Sequence, residues 1–132
     1  MATASGNVHQ QLEQVLAEMN RQGGFLLSVL ADQQGLAIAS AAAPGQQPEV
    51  HAAAVALVQK TATQARDQLG MAPTDELSVF DADGRRLVCR PFSVDERRVI
   101  LAVMVPRRGL PYRRLTNAAL RSLRQILRAL WE

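Results

Sequence analysis

The chain has a single cysteine, Cys89, and a single lysine, Lys60, and only 4% of its 132 residues are aromatic. A lone cysteine forms no internal disulfide, so a reducing, cytoplasmic setting is expected. One Trp, one Tyr and three Phe are too few for a platform that stacks unpaired bases. The longest uninterrupted apolar runs, Ala52–Val58 and Val99–Val105, are seven residues each. A helix that spans a bilayer needs ~18. The opening MATASGNVHQQ has no basic stretch leading into an apolar one, and no secretory signal is expected. His9 and His51 stand alone on separate segments, without the paired spacing of metal ligands. Neither GxxxxGKS/T nor GxGxxG occurs, so nucleotide phosphates are not expected to be held in those ways. No enzymatic activity, cofactor or metal is expected. What is present, 48% hydrophobic and 20% charged residues, suits one domain spanning 1–132 that acts as a binding or assembly module.

The net charge of +3 conceals an asymmetry. Residues 1–79 carry three basic side chains (Arg21, Lys60, Arg66) against seven acidic ones, whereas residues 80–132 carry twelve arginines against five acids. Arginine in place of lysine, beside abundant alanine, is what a GC-rich coding sequence produces. The other reading is an anionic partner facing the C-terminal segment.

Val8, Leu12, Val15, Leu16 and Met19 recur at helical spacing and predict a helix over Asn7–Gln22, capped by Asn7 or Ser5 and stopped by Gly23-Gly24. Phe25–Ala31 and Leu36–Ser40, separated by Asp32-Gln33-Gln34-Gly35, read as an antiparallel hairpin. Pro48 opens a second helix, Glu49–Leu69, ended by Gly70 and Pro73. Its main apolar stripe (Val50, Ala54, Leu57, Val58, Thr61, Ala65, Leu69) is expected to cover a sheet. A second hairpin, Glu76–Asp81 and Arg86–Phe92, follows. Asp81-Ala82-Asp83-Gly84 between them is a turn rather than a calcium loop, since Arg85 and Arg86 stand where such a loop needs an oxygen ligand and then a glycine. Ser93–Glu96 then links to Arg97–Val105, and Arg113–Trp131 forms the last helix. Cys89 falls within a strand and reads as a packed core thiol.

The order is αββαβββα. Short links force antiparallel neighbours, because a parallel crossover needs a dozen or more residues. Phe25–Ala31 and Val99–Val105 are apolar on both faces and should be central; Leu36–Ser40 and Glu76–Asp81 should be edges. The expected class is α+β: one antiparallel sheet between helices, a three-layer α/β/α sandwich.

At full length the pattern resembles the roadblock/LC7 family. The segments that carry the likeness are GGFLLSVLADQQGLAIAS, PEVHAAAVALVQKTATQARDQLG, ELSVFDADGRRLVCRPF, RRVILAVMV and GLPYRRLTNAALRSLRQIL. The resemblance implies a five-stranded sheet in order 2-1-5-4-3, with the central helix on one face and the terminal helices on the other. It implies dimers in which central helices lie side by side and third strands meet edge to edge. Members regulate or scaffold small Ras-like GTPases or serve as light chains of motors. Bacterial members of this plain architecture activate a partner GTPase without donating an arginine finger.

Beside its main stripe the central helix carries small residues, Ala52, Ala53, Ala56 and Thr63, which would let a second helix approach closely. With Leu77 and Val79 of the third strand they form the expected homodimer interface, and Ala56→Arg should then prevent dimerisation. Gln59 and Lys60, with Arg107 and Arg108 in the loop before the last helix, are the candidate contacts to a GTPase. Two other classes fit the same residues. One is a nucleotide-independent structural assembly subunit. The other is a binder of membrane or nucleic acid through the arginines of the last helix, whose affinity would fall steeply with salt.

Overall fold

A computed structural model of the chain describes residues 4–132. Helix α1 (Ala4–Gly23) precedes strands β1 (Leu27–Asp32) and β2 (Ala37–Ala42). Helix α2 (Pro48–Leu69) leads to β3 (Leu77–Phe80), β4 (Arg86–Val94) and β5 (Arg97–Val105), and α3 (Arg113–Leu130) closes the chain. The helix α1 begins before Asn7, which therefore lies inside it; the side chain of Ser5 is outside the described residues. The Gly24 and Phe25 amides donate to the Asn20 carbonyl and end the helix, with Gly24 in the left-handed conformation.

The five strands form one antiparallel sheet in the order β2-β1-β5-β4-β3. Both outer hairpins turn on the same device. The Asp32 carboxylate accepts the amides of Gln34 and Leu36, and Asp81 accepts those of Asp83 and Arg85. The β4–β5 link is tighter than expected: Val94 pairs with Arg97 across Asp95-Glu96, with Asp95 at φ 54°.

Because side chains alternate across the pleat, the two faces of the sheet meet different helices. Leu30, Val88, Leu101, Val103 and their neighbours face α1 and α3 and form the larger core with Leu12, Leu16, Leu123 and Leu127. On the other face Leu27, Val29 and Ala31 pack under Ala52 of α2, while Val55 lies with Cys89, Ile100 and Ala102. The result is the three-layer α+β sandwich.

The face that α2 turns to the sheet reverses the expectation. Ala52, Val55 and Gln59 are its buried residues. Val50 and Leu57, assigned to the sheet by the larger apolar stripe, are 59% and 67% exposed. The cause lies in the β1–β2 turn. Gly35 has φ +92°, and a Cβ built on it would sit 3.2 Å from Ala53 Cα and 3.3 Å from Ala56 Cβ. The turn packs against the Ala53 backbone and the Ala56 side chain, so Ala52 and Ala56 face the fold while Val50 and Leu57 face away.

Candidate protein-interaction surface

Helix α2 places Val50, Ala54, Leu57, Thr61 and Ala65 on one line, because they are spaced by three and four residues. All five are exposed. Thr61 returns its hydroxyl to the Leu57 carbonyl at 3.1 Å, which removes its polar demand from that surface. A helix needs one apolar face to cover a sheet, and this is a second. Beyond it lies β3, a four-residue edge strand that pairs with β4 alone. Val79, 46% exposed, points to the same side of the sheet as α2, and Leu77 is half-buried on that side against Val55 and Cys89.

The residues expected at the interface therefore divide. Ala53 is exposed on the flank of the apolar line, and Thr63 is half-buried. Ala52 is fully buried against β1, a correction to its expected place at a seam. Ala56 is half-buried and faces Gly35, so Ala56→Arg would disturb the β1–β2 turn whatever happened at an interface. Among the candidate partner contacts, Lys60, Arg107 and Arg108 are exposed. Gln59 is buried and lines a cavity of about 180 Å³ with Thr63, Arg66 and Arg98, so it is not available to a partner on the outer surface.

A polar cluster that sequence reasoning missed anchors the edge strand. Glu76, just before β3, accepts hydrogen bonds from Tyr112 Oη at 2.6 Å, Arg113 Nη1 at 2.7 Å, and Ser78 Oγ and Arg86 Nη2 at 3.2 Å each. Arg113 also donates to Asp75 at 2.6 Å. The Arg86 guanidinium lies 4.8 Å from the Phe80 ring centre and 4.5 Å from that of Tyr112. Beneath them the buried Arg90 donates to Thr116 Oγ1 at 2.8 Å, while its Nε has no partner among the described residues. Arg108 also lies over Phe80, 5.3 Å from the ring centre. The strand edge is thus fixed to the start of α3. No local signal could reveal this, since Glu76 and Tyr112 are 36 residues apart.

Burial alone would raise the Glu76 carboxyl, but the donors Tyr112, Arg113 and Ser78 outweigh it and hold the group below its usual range. A depressed carboxylate contributes stability that is present above its unfolded pKa of about 4.3 and is lost as pH falls through the folded value. Glu76→Gln should therefore lower the urea midpoint at pH 7, by about 1–2 kcal/mol in stability. The variant should also show a shallower loss of stability than wild type as the solution is acidified from neutral pH through the carboxylate range. Parallel curves for the two proteins would show that Glu76 carries none of this dependence.

Cys89 is fully buried, and burial pushes its thiol up to about 12. A thiol so far from ionising at neutral pH is core, not nucleophile. Among the described residues there is no group of three or more His, Cys, Asp or Glu that could hold a metal, and no helix long and apolar enough to cross a membrane. The surface offers apolar contact, a free strand edge and arginines, which are the materials of a protein–protein interface.

A five-stranded 2-1-5-4-3 antiparallel sheet with one helix on one face and two on the other is the roadblock/LC7 fold, and this chain has it. The chain is similar to several solved structures. The gliding protein MglB of Thermus thermophilus is 19% identical, with 90% of each chain covered and a TM-score of 0.73. An MglB with a tetrameric arrangement is 20% identical over 90% of this chain and 89% of that one, with a TM-score of 0.74. A roadblock/LC7 domain from Streptomyces avermitilis is 14% identical over 91% and 98%, with a TM-score of 0.73. No family model and no curated protein sequence matches the chain. At these identities the likeness establishes the fold.

Proposed function

We propose that the protein is a homodimeric regulator or scaffold of a small Ras-like GTPase, itself without enzymatic chemistry. The observation that carries this reading is the second apolar face of α2, with the open edge of β3 presenting Val79 on the same side of the sheet. In the proposed dimer, the lines Val50–Ala54–Leu57–Thr61 of two copies lie together and Val79 stands at the strand edge. The contact is isologous, with each residue meeting its counterpart's surroundings. The likeness to MglB structures, one of them tetrameric, supports self-association. The nucleotide belongs to the partner, since this chain's own sequence has no phosphate-binding glycine motif. As an activator, the dimer would hold the GTPase's own switch residues in a hydrolysis-competent arrangement, an effect of orientation.

The deciding experiment is binding of a candidate Ras-like GTPase loaded with GTP or GDP, followed by single-turnover hydrolysis. Binding that depends on the nucleotide supports the proposal. Binding that ignores it assigns the protein to the structural assembly subunits, and no binding in either state removes the GTPase reading.

Arg107 and Arg108 are the proposed partner contacts, and they distinguish recognition from donated catalysis. Replacing both by alanine should weaken complex formation while leaving hydrolysis in the saturated complex nearly unchanged. An arginine finger is worth roughly 10³–10⁵ in rate. A loss of that size on saturation would make one of these arginines a catalytic residue.

A further inference from the structure

Helices α1 and α3 lie side by side on the face of the sheet away from α2, and an open groove of about 560 Å³ runs between them. Its floor is apolar: Val15 and Met19 from α1, Leu115, Ala119 and Ile126 from α3. Gln14 and Gln22 form one wall, and Ala118 and Ser122 the other. The lining runs from Gln11 to Gln22 on α1 and from Leu115 to Ile126 on α3. At 1.5 Å per residue each wall is about 16 Å long, the length of three helical turns.

The two rims differ in charge. On the α1 side the one acid in the wall, Glu18, is already taken by Arg21 and Gln22. Helix α3 has no acidic residue at all, and Arg114, Arg121 and Arg128 follow one another at intervals of seven along its outer ridge. Arg114 and Arg121 flank Ala118 at four and three residues, so they border the wall directly. Neither forms an ion pair among the described residues, and Arg128 has only Asp95 at 3.9 Å.

From this geometry we infer that the groove is a docking site for an amphipathic helix of a partner protein, three turns long, apolar side down, with acidic residues along the flank that meets α3. The trough between two parallel ridges suits apolar anchors at i, i+3 or i+4, and i+7. Charge sets the orientation, since the α3 rim carries arginines without an ion-pair partner among the described residues, whereas Arg21 on the α1 side is paired with Glu18. A second copy of this chain fits poorly, because a symmetric contact would set one arginine ridge against another. The site does not depend on the α2 dimer and would be open on each protomer of one.

The test is fluorescence anisotropy of the full-length protein with a panel of labelled three-turn peptides, leucines at those spacings, flanked by Glu or by Lys. Glu-flanked peptides should bind at least about tenfold more tightly than Lys-flanked ones. Ala118→Trp, filling the groove from α3, and Gln14→Trp, filling it from α1, should each weaken binding by about tenfold or more. Arg121→Glu, on the surface, should reverse the preference between flanks. Thermal unfolding of all three variants, matched to wild type, separates these effects from loss of fold. Equal binding of both peptide classes, or binding unaffected by either tryptophan, overturns the proposal. So does a higher oligomer of wild type that the tryptophans dissolve, or retention on phosphatidylserine vesicles without peptide binding.

Discussion

Leu57→Arg is expected to sediment as a monomer at concentrations where the wild-type chain sediments as a dimer. Leu57 is 67% exposed in the protomer and makes no part of either core on the α2 face, so the substitution leaves the fold intact. In the proposed dimer the same position lies at the middle of the α2 line, between Ala54 and Thr61. A guanidinium there would be buried without a partner, at a cost of several kcal/mol, enough to dissociate a modest interface. Leu57→Ala should weaken the dimer less, and Lys60→Ala, on the flank, should leave it unchanged. On a merely solvated helix face Leu57→Arg would change stability by no more than about 0.5 kcal/mol and assembly not at all. A wild type that stays monomeric at tens of micromolar, or a variant that dimerises normally, would return α2's outer face to the solvent.

Leu101→Ala should destabilise the protomer by about 3–5 kcal/mol, the largest effect expected from a single truncation here. Leu101 is fully buried at the centre of β5, the middle strand, paired with Leu30 on one side and Arg90 on the other. Its neighbours are held by two hydrogen-bonded ladders and capped by α1 and α3, so the vacated volume cannot collapse. For a chain of this size total stability is roughly 7–20 kcal/mol. The midpoint of thermal unfolding should fall by roughly 10–20 °C. Leu36→Ala, at an exposed position of the β1–β2 turn, should move it hardly at all. A drop of only a degree or two for Leu101→Ala would mean that the core adjusts around the site.

The elements were legible because each carries its own local chemistry. Gly70 ends α2 in the left-handed conformation with its amide on the Arg66 carbonyl, as its place after Leu69 implies. Both Asp-x-x-Gly segments form hairpin turns, and links too short for a crossover compel antiparallel neighbours. Strands apolar on both parities became the centre of the sheet, since only there are both faces covered. The place of β3 at the edge of the sheet is observed, and its role in docking a second copy is part of the proposal.

The amino-acid sequence by itself thus determined which segments are helix and strand, where they turn, and which strands lie inside. It could not determine which way α2 faces. That helix is apolar around most of its circumference, and periodicity registers that a face exists without choosing between two. The choice was made in space, where the Gly35 turn packs against the backbone at Ala53 and the side chain of Ala56 and leaves little room for a larger residue at 56. The same is true of the Glu76–Tyr112–Arg113 anchor and of the trough between α1 and α3, whose residues are far apart along the chain. Local chemistry acts between residues a few positions apart; close packing selects among its outcomes by size and charge only after distant segments have met.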